Sequence, residues 1–129
     1  MFSYKTRIKD IHLELLNRCY IVSEYSAIDG KVTFNLACPQ KIVKLQDELE
    51  HSENIEPRNE MTAKTRDDIV RAIRAELILL QSGIHVTYEN EEIEICSPIE
   101  SNMDSDLTTE YFKIYIADIL SSQGVGQNG

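Results

Sequence analysis

Residues 84–98 read IHVTYENEEIEICSP, and residues 20–39 read YIVSEYSAIDGKVTFNLACP. Each stretch alternates apolar and polar residues, turns, alternates again and stops at a proline. Alternation with period two is the mark of a half-buried strand, and a short polar turn between two such runs is the mark of a hairpin. In the earlier stretch Asp29-Gly30 supplies the turn, and Val32, Phe34, Leu36 and Cys38 fall on one face while Lys31, Thr33 and Asn35 fall on the other. One apolar and one polar face predict an antiparallel sheet covered on one side. In the later stretch a turn near Asn90 separates Ile84, Val86 and Tyr88 from Ile93 and Ile95.

Helical periodicity surrounds both hairpins. Ile8, Ile11, His12, Leu15, Leu16 and Cys19 recur at i, i+3, i+4 spacing and predict a first helix over about 5–19. Pro39 stops the strand and can open a short helix carrying Ile42, Leu45 and Leu49. The polar residues 51–64, with Pro57, read as an exposed linker. The stripe Ile69, Val70, Ile73, Leu77 and Leu80 predicts a central helix, with TRDD (65–68) as its capping box and Gly83 as its C-terminal cap. Residues 96–106 read as a loop. Phe112, Tyr115, Ile116, Ile119 and Leu120 form the buried stripe of a last helix. Residues 123–129 hold three glycines and read as a disordered tail.

The expectation is thus a single α+β domain over residues 1–122. Two helix–hairpin units would form an antiparallel sheet of about four strands, with helices packed on one face and a C-terminal helix. Alternating helices and antiparallel hairpins in a small acidic chain are similar in architecture to type III secretion chaperones and roadblock-like regulators. That resemblance rests on no motif and transfers no site. It implies a protein partner and a dimer.

Composition narrows the function. The chain of 129 residues carries a formal net charge of −9. Residues 1–74 hold 12 acids and 12 bases, whereas residues 75–129 hold 10 acids against Lys113 alone. An acidic half argues against a phosphate-backbone partner, which needs Lys and Arg to displace counterions. No apolar run is long enough to span a bilayer and no secretory leader is visible, so a cytoplasmic protein with no membrane partner is expected. Cys19, Cys38 and Cys96 are odd in number and widely spaced, which points to reduced thiols rather than a disulfide framework or metal knuckle. The glycines are too few and too placed for a nucleotide loop, so no cofactor is expected.

No catalytic constellation assembles, and an enzyme built on Cys38, Cys96 or the glutamates is the least supported reading. The best supported is a non-enzymatic protein-binding module (regulatory, adaptor or chaperone-like) docking through its sheet face, sheet edge or last helix. Glu89, Glu91, Glu92 and Glu94 offer a charged patch for a basic partner. Tyr25, Tyr88 and Tyr115 are candidate contact residues, since tyrosine joins an apolar body to a polar tip. A toxin-neutralising or inhibitor protein, using the acidic hairpin as a nucleic-acid mimic, is the alternative. Exposed sheet edges also favour a homodimer.

Overall fold

A computed structural model of the chain describes residues 2–99 and 105–124. It contains five strands and four helices in the order β1 (Phe2–Arg7), α1 (Leu13–Leu16), β2 (Ile21–Ile28), β3 (Lys31–Ala37), α2 (Pro39–Glu53), α3 (Glu60–Ser82), β4 (Ile84–Glu89), β5 (Glu92–Ser97) and α4 (Ser105–Ser122). All strand pairs are antiparallel, in the sheet order β1-β5-β4-β3-β2. The α+β class and the C-terminal helix are as the sequence suggests. The sheet has five strands rather than four.

Both hairpins form, each closed by a two-residue turn. Asp29 and Gly30 have φ of 53° and 80°, and Asn90 and Glu91 have φ of 54° and 59°. Positive φ at both central positions matches the right-handed twist of the flanking strands. The hairpins sit side by side through β3 and β4, with Phe34 opposite Val86 and Thr33 opposite Thr87.

The first helix expected over 5–19 does not form. Residues 5–7 of it belong to β1, residues 8–12 are neither strand nor helix, and only Leu13–Leu16 is helical. Phe2, Tyr4 and Thr6 alternate with Ser3, Lys5 and Arg7, so the segment also satisfies period two. Long-range pairing decides between the two periods. Lys5 lies opposite Glu94 and Arg7 opposite Glu92, so β1 brings cations to the acidic strand. Phe2 packs on Phe112 of α4, with ring centroids 5.6 Å apart. The layout of two equal helix–hairpin units is therefore matched only roughly, because the first unit's helix is a single turn.

The linker is also shorter than residues 51–64. Helix α2 runs through Glu53 and α3 begins at Glu60. Asn59, not Thr65, caps α3: its side chain accepts from the Thr62 amide, and the Thr62 hydroxyl accepts from the Asn59 amide. This reciprocal pair satisfies two otherwise orphaned donors at the helix start. An ion pair of 2.8 Å between Arg74 and Glu53 joins α3 to α2. At the other end Gly83 ends the helix and donates to the Leu80 carbonyl; its φ of 83° is positive, but its ψ of 165° lies outside the left-handed helical region expected of the cap. Of the loop expected over 96–106, Cys96 and Ser97 belong to β5 and Ser105 and Asp106 to α4, while 100–104 lie outside the described residues. So does most of the tail, residues 125–129.

The core lies between one face of the sheet and the helices. Phe34, Leu36, Ile84, Val86, Ile93 and Ile95 supply the sheet side; Leu77, Leu80, Phe112, Ile116 and Ile119 supply the helix side. The other face of the sheet, among the described residues, carries polar side chains and no helix. Among the described residues no helix is long and apolar enough to cross a membrane.

Candidate functional site

The register fixes what the outer face displays. One row across the strands reads Ser3, Cys96, His85, Asn35, Ser23, and the next reads Lys5, Glu94, Thr87, Thr33, Ser26. A third begins Arg7, Glu92, Glu89. Period-two alternation sends all of these away from the core. Lys5, Arg7, Lys31, Thr87, Glu89, Asn90, Glu92 and Glu94 line a shallow polar trough of about 420 Å³ on this face.

The four glutamates thus gather as the hairpin reading expects, but three cations come with them. Lys5 Nζ stands 3.6 Å from Glu94, and Arg7 is 3.5 Å from Glu91. Ser3 Oγ donates to Glu94 at 3.3 Å. Glu89 and Glu92 face each other directly across the hairpin. Like charges in that position repel, and Arg7, opposite Glu92 on the other side, offsets part of it. The basic residues were hidden from sequence reasoning because β1 reads equally well as a helix. The only available signal was the alternation of Ser3, Lys5 and Arg7.

The three tyrosines do not come together. Tyr25 is exposed on β2, beside a break in the ladder between Ser23 and Ser26 where Glu24 has a φ of 52°. Tyr88 is half-buried on the core side, and its hydroxyl donates to the Lys9 carbonyl at 2.6 Å, anchoring the chain after β1. Tyr115 is 4% exposed inside the helix layer. Its hydroxyl donates to Glu76, which also pairs with Lys41 at 3.1 Å. The Lys41 ammonium sits 4.9 Å from the centre of the Tyr115 ring, within cation–π range. Tyr20 makes a similar bond to Asp118 at 2.6 Å. Burial pushes both hydroxyls well above the ordinary tyrosine value, and the acceptor carboxylates push them further.

Among the described residues the sheet has two unpaired edges, β1 and β2, of different character. β2 is interrupted by its bulge, and bulges blunt an edge by twisting it and breaking the ladder. β1 pairs with β5 in unbroken register from Phe2 to Arg7, so no bulge interrupts it. Beside it, Phe2, Ser3, Tyr4, Thr109, Phe112, Lys113 and Ile116 line an open groove of about 340 Å³ between β1 and α4. Among the described residues no group of three or more His, Cys, Asp or Glu side chains could hold a metal ion.

Comparison with known protein families, curated proteins and solved structures finds no match to this chain.

Proposed function

We propose that the protein is a non-enzymatic binding module that takes up an extended segment of a protein partner along β1. The observation that carries this reading is the coincidence of an unbroken strand edge, unpaired among the described residues, with an apolar groove alongside it. Strand addition draws affinity from main-chain hydrogen bonds along an edge and selectivity from pockets for alternate side chains. The β1 edge offers the first, and the groove between Tyr4, Phe112 and Ile116 offers a place for an apolar side chain. The acidic hairpin lies one strand away and would favour a partner with basic residues flanking the docked segment.

A photo-reactive residue placed at Tyr4 should crosslink to a discrete partner in the native host, while the same residue at Tyr25 or Val43 should not. No adduct at Tyr4, or equal adducts at all three positions, would overturn the proposal. A second copy of the chain would occupy the same edge, and the mass of the Tyr4 adduct distinguishes a homodimer from a different partner.

A further inference from the structure

Cys19 and Cys38 are far apart in sequence terms but adjacent in space. The Cys38 thiol donates to the Cys19 carbonyl at 3.6 Å, and both residues line a single cleft of about 170 Å³ with Tyr20, Ile21, Ala37 and Pro39. The neighbouring pair Ile21 and Ala37 are direct partners at the end of the β2–β3 ladder. Both cysteines lie just beyond that ladder, and Cys38 packs against the edge of the core. Cys19 ends the turn after α1 and is exposed; Cys38 is the residue that precedes the first turn of α2. A disulfide needs Cα atoms roughly 4.4–6.8 Å apart, and the contact of the Cys38 thiol with the Cys19 carbonyl brings the two residues together at this cleft. Cys96 is placed differently. It lies on the outer sheet face, where its thiol contacts Ser3 Oγ at 3.6 Å.

We propose that Cys19 and Cys38 form a reversible intramolecular disulfide when the protein meets a peroxide. The exposed Cys19 thiolate attacks one peroxide oxygen, the O–O bond breaks and, after protonation, water leaves. The Cys38 thiolate then attacks the oxidised sulfur of Cys19. An S–S bond forms, the S–O bond breaks and the hydroxide takes up a proton. Two thiols are thereby oxidised by two electrons and one peroxide is reduced to two waters. The link ties the turn before β2 to the start of α2 and encloses the first hairpin in a covalent ring.

Treatment of the purified full-length protein with hydrogen peroxide, followed by alkylation, tests this. The intact mass should fall by two hydrogens, one alkylation should remain at Cys96, and a Cys19–Cys38 peptide should appear and vanish with dithiothreitol. The oxidised form should melt at least about 5 °C above the reduced form. Cys38→Ser should leave Cys19 as a sulfenic acid that dimedone traps. Crosslinks that contain Cys96, links between two molecules, or over-oxidation of Cys19 with Cys38 still reduced would overturn the proposal.

Discussion

Tyr115, Glu76 and Lys41 form a small polar network inside an otherwise apolar helix layer. A buried carboxylate is costly unless it is paired and hydrogen-bonded, and here one donor comes from α4 and the other from α2. Tyr115→Phe keeps the ring over Lys41 but removes a donor, and should lower stability by about 1–3 kcal/mol in urea unfolding. The tyrosine also sets a pH dependence. The hydroxyls of Tyr20 and Tyr115 titrate far above their ordinary value of 10.0 in the folded chain. The unfolded chain therefore releases these protons first, so their contribution is fully present below pH 10.0 and is lost as pH rises beyond it. Stability followed by circular dichroism should fall above that value, and less steeply in Tyr115→Phe. An unchanged alkaline slope in that variant would show that Tyr115 does not carry the effect.

At the scale of single elements, β1 is held by its neighbour as much as by its own sequence. Reversing both cations, Lys5→Glu with Arg7→Glu, places four acids, at positions 5, 7, 92 and 94, in register across β1 and β5. The native pairs are exposed, so their removal alone costs little. With the added like-charge repulsion the double variant should lose about 1–2 kcal/mol, and high salt should restore part of it. Loss of the same size from Lys9→Glu, in the segment after β1, would point instead to net charge. This element also marks the limit of what local sequence can convey. The hairpins were legible because period two and the Asp29-Gly30 and Asn90 turns agree within a short window. β1 was not, because the Ile8, Ile11 and Leu15 spacing that follows it fits a helix and the glutamates that favour a strand lie far along the chain. The α3 start was missed for a related reason: Thr65 with Asp68 offered a capping pattern, and the Asn59–Thr62 pair was obscured by the polar run around it. The glutamate cluster could be read from sequence, but its partial neutralisation by Lys5 and Arg7 could not. Nor could the contact of Cys38 with Cys19, which depends on where the chain leaves the ladder.

Across the whole molecule, protection should follow sheet position rather than chain order. β4 is the middle strand, paired on both sides and covered by helices on one face. β1 and β2 are the edges. Amides of β4 should therefore exchange slowest in native-state hydrogen exchange, with β5 and β3 next and the edge strands fastest. Slow exchange of β1 in the isolated protein would indicate that its edge is already covered by a second copy, and dilution would then speed it.

The pairing of β1 with β5 alone also dictates an order of events during synthesis. Among the described residues β1 has its only sheet neighbour at residues 92–97, which leave the ribosome well after it. Until that segment emerges, Phe2 and Tyr4 have neither β5 nor α4 to cover them. Non-local pairing of this kind must wait for the distant partner segment and slows the search for the native arrangement. The nascent protein thus carries the aromatic residues of β1 uncovered until β5 and α4 have both been made, and β1 docks only after them.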